Sequence, residues 1–220
     1  MTTFALIHGA GDAGWYWHLV EAELRRRGHD TVAPDLPVDD DTAGLDRYAD
    51  VVIDAIGNRQ DVVVVGQSLG GYVAPLVAER IGAALIVLVA GMVPVPGETA
   101  EQMFRRTGWE PAPFEDRSTI AVVYHDLPAS LAQEALAHTR RQSETPGKEP
   151  WPLPAWPSIP TRVVIGRLDR FFPADWLRTV VSDRLGVAPD EIDSGHCPAL
   201  SRPVELAAML EGYVRDTEAR

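Results

Sequence analysis

The sequence predicts an α/β fold on a mostly parallel sheet, a single structural unit with a small insertion. Three observations predict it. Short apolar runs alternate with stretches of helical spacing over residues 1–90 and again over 161–220. The run Val62-Val63-Val64-Val65 has no polar alternation, which suits a strand covered on both faces. The length, 220 residues, is one domain's worth and long enough to bury a real core.

In chain order, residues 4–7 read as a buried strand ending in His8-Gly9. Residues 15–27 have helical spacing and stop at Gly28. Residues 29–33 read as a second strand, closed by Pro34-Asp35-Leu36-Pro37. A second amphipathic helix over 45–56 stops at Gly57. The valine strand follows, then a helix over 71–81 with Pro75 inside it, then a buried strand over 85–89. The rhythm breaks at 91–160, where only a short apolar run at 120–124 interrupts helical stretches at 98–107 and 130–141. Residues 146–160 hold six prolines, too many for a helix or a central strand. The segment 91–160 is therefore expected to be a cap insertion. The α/β rhythm resumes with a strand at 162–165, a helix at 173–185, a short strand at 190–193 and a final helix at 203–214.

Composition removes several function classes. Twenty Lys and Arg against 32 Asp and Glu leave a net charge of −12, a poor footprint for nucleic acid. The basic runs at 25–27, 105–106 and 140–141 read as solvated helix faces. The single lysine, Lys148, follows no P-loop pattern and stands in the proline-rich stretch. One cysteine, Cys197, makes neither a disulfide nor a cysteine-based zinc cluster. Residues 1–8 lack the basic region of a signal peptide, and no apolar run approaches the ~20 residues of a membrane span. The expectation is a soluble, cytoplasmic protein without membrane or nucleic-acid partners, metal or cofactor. Its oligomeric state stays open.

The chemistry concentrates in Gly66-Gln67-Ser68-Leu69-Gly70, a G-x-S-x-G pattern between a strand and a helix. In that context the serine sits on a tight turn with its hydroxyl exposed above the sheet, and small flanking residues let the backbone pack closely. A serine needs a base. His196 follows the last expected strand, while His125 and His138 lie in the insertion. The acid candidates are Asp169, just after the strand at 162–165, and Asp193, three residues before His196; the strand-end position favours Asp169. Donors for a developing oxyanion are expected from the backbone amides of Leu69 and Ala10, with His8 buttressing the loop.

These residues resemble an α/β-hydrolase over nearly the whole chain. Leu6-Ile7-His8-Gly9-Ala10 followed by Gly14-Trp15-Tyr16-Trp17 is similar to the plant methylesterase and hydroxynitrile-lyase-like branch and its bacterial esterase relatives. The resemblance implies an α/β-hydrolase fold, a Ser68–His196–Asp169 triad, and the Ala10 and Leu69 amides as an oxyanion hole. Lyases of that branch carry a lysine after the catalytic histidine; Cys197 stands there, which counts against lyase activity. The expected function is hydrolysis of a small, apolar carboxylic ester through an acyl-enzyme. Large residues expected to line the pocket are Trp15, Met92, Phe104, Trp109, Phe114, Tyr124, Trp151 and Trp156.

Two rival functions remain at this point. Gly9-Ala10-Gly11-Asp12-Ala13-Gly14 matches G-x-G-x-x-G, with Asp35 where a ribose-binding acid belongs, so an NAD(P)-dependent oxidoreductase is a remote alternative. A ligand-sensing or non-hydrolytic protein on the same fold is the other. The acidic run Asp39-Asp40-Asp41 partly mimics a calcium loop but is expected to be a solvated surface.

Overall fold

In the computed structural model, residues 1–110, 113 and 115–218 are described, and six strands form one sheet. They are β1 (Thr3–Ile7), β2 (Asp30–Val32), β3 (Val62–Gln67), β4 (Leu85–Val89), β5 (Thr161–Gly166) and β6 (Asp190–Ile192). The order is β2-β1-β3-β4-β5-β6 and every pair is parallel. The register sets Ile7 beside Gly66, Gln67 beside Val89 and Gly166 beside Ile192, so the carboxyl ends of β1, β3, β4, β5 and β6 share one edge.

The valine strand is buried along its whole length because both faces are covered. Val62 and Val64 join Ala5, Ile7, Ile86 and Leu88 in one core, under α2 (Leu45–Ile56), α3 (Gly70–Ile81) and α8 (Ala174–Leu185). Val63 and Val65 join Phe4, Leu6, Val87 and Val89 in the other, under α1 (His18–Arg26) and α10 (Pro203–Glu218). Alternate residues of each strand thus serve alternate cores, the two-residue period of a pleated strand.

A 3-10 turn, Gly14–Trp17, replaces the first turn of the helix expected from residue 15. It places Trp15 between the rings of His18 and His138, with centroids 4.5 and 4.2 Å away. Helix α3 runs through Pro75, which is buried with its neighbours. The expected basic runs are engaged in ion pairs: Arg25, Arg26 and Arg27 with Glu21, Glu23 and Glu211, and Arg105 and Arg106 with Glu101 and Glu98.

Between β4 and β5 the described residues form four helices and no strand: α4 (Ala100–Thr107), α5 (Thr119–Val122), α6 (Ala129–His138) and α7 (Thr145–Lys148). The apolar run at 120–124 is mostly α5, whose N-cap Ser118 accepts a hydrogen bond from the Ala121 amide at 3.2 Å. Helix α4 opens with a capping box between Thr99 and Gln102. Just before it, the fully buried Glu98 carboxylate receives Arg184 of α8 at 2.5 and 3.1 Å and Arg106 at 3.5 Å. The acidic loop at 39–41 pairs with the same segment, Asp39 with Arg140 and Asp41 with Arg141.

Candidate active site

Ser68 occupies the sharp turn between β3 and α3, with φ +50°. A left-handed backbone costs a residue with a side chain roughly 1–2 kcal/mol. Surrounding contacts enforce it: the Ser68 carbonyl accepts the Gly71 and Met92 amides at 3.0 and 2.9 Å, and its own amide reaches the Val89 carbonyl at 3.3 Å. The flanking glycines are sterically required. A Cβ on Gly66 would stand 2.5 Å from the Gly70 carbonyl oxygen and 2.8 Å from the Ala74 Cβ. A Cβ on Gly9, from the loop after β1, would collide with the Gln67 side chain.

Asp169 and His196 come from the loops after β5 and β6. The Asp169 Oδ2 lies 2.8 Å from His196 Nδ1. Its Oδ1 accepts the Phe171 and Phe172 amides at 2.8 and 2.9 Å, so both carboxylate oxygens are used and the group is fixed. The Phe171 and Phe172 rings stand edge-on to the imidazole, with centroids at 5.0 and 5.2 Å. Gln67 donates to the His196 carbonyl at 3.3 Å, linking the histidine loop to the residue before Ser68. With Nδ1 committed to Asp169, Nε2 is the nitrogen left for proton transfer. The rival acid, Asp193, is exposed and pairs with Arg167 at 2.6 Å.

Ser68 and His196 line one cavity of about 340 Å³. The β1–α1 loop contributes Gly9, Ala10, Gly11 and Asp12; the 91–160 segment contributes Thr119, Val123, Tyr124, Thr139 and Arg140. Phe171, Gln67 and Cys197 complete the wall. A second cavity of about 230 Å³ shares Thr119, Val123 and Phe171 with the first and adds Trp109, Val122, Arg117 and Arg170. The site sits at the switch point of the sheet, where the chain leaves β1 toward β2 on one side and β3 adjoins on the other.

Residues 4–209 match the Alpha/beta hydrolase family. The chain belongs to this family. Over 135 residues it is 32% identical to the rice protein named Probable esterase PIR7A (Oryza sativa); the match takes in 54% of this chain and spans about half, 51%, of that relative's length. It is 25% identical to Methylesterase 7 of Arabidopsis thaliana over 94% of both chains. The fold matches the crystal structure of the methylesterase MES16 from Arabidopsis with a TM-score of 0.81 at 18% identity, covering 98% of this chain and 99% of that one.

In this α/β-hydrolase, one of the large residues expected to line the pocket, Tyr124, reaches the cavity that holds Ser68, and Trp109 lines the adjoining one. The others do structural work. Trp151 is buried and donates its indole N–H to the Tyr72 carbonyl at 3.0 Å. Trp156 packs on it and donates to Thr161. Met92 is buried in the α2–α3–α8 core, where Phe104 packs against Trp109 and Phe172. Trp15 is held in its histidine stack. Phe114 lies outside the described residues.

Of the two amides expected to hold an oxyanion, Ala10 belongs to the cavity wall and Leu69 follows Ser68 directly. Among the described residues neither amide donates to another acceptor. His8 is buried with Nδ1 at 2.9 Å from the Gly9 carbonyl, and its Nε2 accepts the Leu36 amide at 3.1 Å. Burial lowers its pKa to about 4, so the ring is a neutral brace for the loop. Burial pushes the Cys197 thiol well above its ordinary range, which leaves it a packed thiol rather than a nucleophile. Asp35, the candidate ribose acid, accepts the Gly14 amide at 2.7 Å and ties the glycine-rich loop shut.

Three residues that the sequence does not single out contribute here. Asp12 enters the cavity from the β1–α1 loop, Gln67 clamps two loops, and Asp126 receives the Gly195 amide at 2.7 Å, just before His196. Only Gln67 has a sequence signal, its place beside the serine.

Proposed function

We propose that this hydrolase cleaves a small carboxylic ester through a Ser68–His196–Asp169 triad. The observation that carries it is one cavity bounded both by Ser68, on its strained turn, and by His196, hydrogen-bonded to the buried Asp169. Similarity to proteins named esterases and methylesterases supports the same chemistry.

Ser68 Oγ adds to the ester carbonyl carbon while His196 Nε2 takes its proton. The negative charge gathers on the former carbonyl oxygen, where the Ala10 and Leu69 amides receive it. Asp169 holds the imidazole in its tautomer and stabilises the imidazolium. The carbon–alkoxy bond then breaks, and the leaving alcohol takes the proton back from His196. Water adds to the acyl-enzyme, gives a proton to His196, and the collapse frees the carboxylic acid and Ser68. The segment 91–160 acts as the cap over this site. The second cavity, walled by Trp109, Val122, Val123 and Phe171, suits an apolar arm of the ester.

The test is fluorophosphonate labelling read by intact mass, on wild type and on Ser68→Ala. One adduct per wild-type chain and none on the variant is expected, with hydrolysis of short-chain esters lost by at least 10³-fold in Ser68→Ala. A folded wild type that takes no adduct overturns the reading. One that takes the adduct yet releases no product from any ester belongs to the ligand-sensing alternative.

A further inference from the structure

We propose that Asp12 sets the substrate class of this site: its carboxyl group accepts a hydrogen bond from a hydroxyl or protonated amine carried by the ester within a few bonds of the carbonyl. The proposal rests on the ester-hydrolase reading above and narrows it.

Asp12 stands two residues beyond Ala10 and lines the same cavity as Ser68 and His196. Its Oδ1 is held by the Ala13 amide at 2.9 Å, which fixes the carboxyl plane. Its Oδ2 has no donor among the described residues. The positive group nearest in that wall, Arg140, is turned to the Leu36 carbonyl at 2.8 Å and to Asp39 at 2.6 Å. The other titratable neighbours are Asp35 behind the loop, Tyr16, Tyr124 and Cys197, and across the cavity His196. Asp12 therefore presents to the cavity a half-buried acceptor oxygen that no donor of the described residues occupies. Burial, with the neighbouring Asp35 charge adding to it, raises its pKa to about 6. It is ionised at neutral pH and gains from any donor brought close.

The placement also divides the substrate. The second cavity shares Thr119, Val123 and Phe171 with the first and adds the apolar Trp109 and Val122, with Arg117 and Arg170 also in its wall. Asp12 belongs to the β1–α1 loop wall. One arm of the ester is then apolar and the other carries the donor. A structural role alone, holding the Ala13 amide, would be met as well by asparagine, and this separates the two explanations.

The experiment compares esters at pH 7.5: the isosteric pairs methyl butyrate with methyl 3-hydroxypropionate and propyl acetate with 2-hydroxyethyl acetate, and the bulkier 2-(dimethylamino)ethyl acetate as the amine-bearing acetate. The wild type is expected to favour a donor-bearing member by tenfold or more in kcat/KM, chiefly through KM. Asp12→Ala abolishes that preference. Asp12→Asn keeps part of the hydroxyl preference and loses the amine preference. The amine preference of the wild type falls between pH 7 and pH 5 as Asp12 takes up a proton. Donor-to-methyl ratios within twofold of one in both wild-type series overturn the proposal, as does a preference that survives Asp12→Ala. If Asp12→Ala does not fold, the wild-type ratios and Asp12→Asn decide alone. Failure of the hydrolase reading shows separately, as no Ser68 adduct and no hydrolysis of any of the five esters.

Discussion

His8 and Asp12 lie four residues apart, and the same burial moves their protonation in opposite senses. His8 falls to about 4, so the unfolded chain binds its proton more readily, and this contribution to stability drops as pH falls from about 6.5 to 4. Asp12 rises to about 6, so the folded chain binds the proton more readily, and its contribution drops as pH rises from about 4 to 6. A shift of two pKa units corresponds to about 3 kcal/mol, so the two slopes offset across pH 4–6. Asp12→Asn removes one of them. Urea unfolding of the variant should show 1–3 kcal/mol more stability than wild type at pH 7.5, as a rough figure. The gain should vanish near pH 4, with a steeper acid loss left by His8. A variant no more stable than wild type at pH 7.5 would show that the Asp12 carboxylate is not strained by its burial. Residue by residue, the candidate site shows in the sequence where chemistry leaves a pattern. Ser68 has its glycines and its strand, and His196 has its place in the chain. The sequence favours Asp169 over Asp193 by its strand-end position, and the structure pairs Asp169 with His196 and Asp193 with Arg167. Asp126 carries no sequence signal because its partner, the Gly195 amide, is brought close only by folding, and Asp12 carries none because its place in the cavity wall depends on the loops that fold around it. Trp109 lines the second cavity, whereas Trp151 and Trp156 pack in the core: size marks what a core needs, and their indole N–H groups are tied to backbone and side-chain acceptors.

Among elements, the joint between α4 and α8 rests on one buried ion pair, Glu98 with Arg184. Glu98 has no exposed surface, and Arg184 is largely covered while also donating to the Val93 carbonyl at 2.6 Å. Removing Glu98 strands the Arg184 charge, and removing Arg184 leaves the buried Glu98 only its longer contact with Arg106, each a loss of about 3–5 kcal/mol. Glu98→Ala and Arg184→Ala should each lower the unfolding free energy by that order. The double variant should lose much less than the sum, with a coupling of more than about 1 kcal/mol. Strictly additive losses would mean the pair contributes no joint stability. Strongly patterned elements match their expected bounds, α2 through its amphipathic stripe and β4 through its unbroken apolar run. Short ones escaped. Helices α5, α7 and α9 (Pro198–Ser201) are four residues each, fixed by a cap or a proline rather than by periodicity. The turn at Gly14–Trp17 belongs with them, since three aromatic residues in a row give no period.

At the scale of the molecule, a parallel sheet gathers the carboxyl ends of its strands, so loops near residues 8–12, 67–69, 169–172 and 196–197 converge although the sequence separates them widely. The net charge of −12 lies over a surface whose positive groups are almost all guanidinium, many of them paired. Against that background the single lysine stands apart. Lys148, on α7, is well exposed and bonded to Glu144 at 2.5 Å, a pairing that raises its pKa. An amine-reactive fluorophore applied at alkaline pH should join one side chain, Lys148, besides the amino terminus. Peptide mapping after digestion checks this, and a second modified side chain would refute it. Thiol reagents should leave native protein untouched, because Cys197 is buried and held as the thiol. The chain thus offers an addressable dye position on the 91–160 segment, which lends Thr119, Val123, Tyr124, Thr139 and Arg140 to the cavity wall, so a reporter can be placed there without engineering the chain.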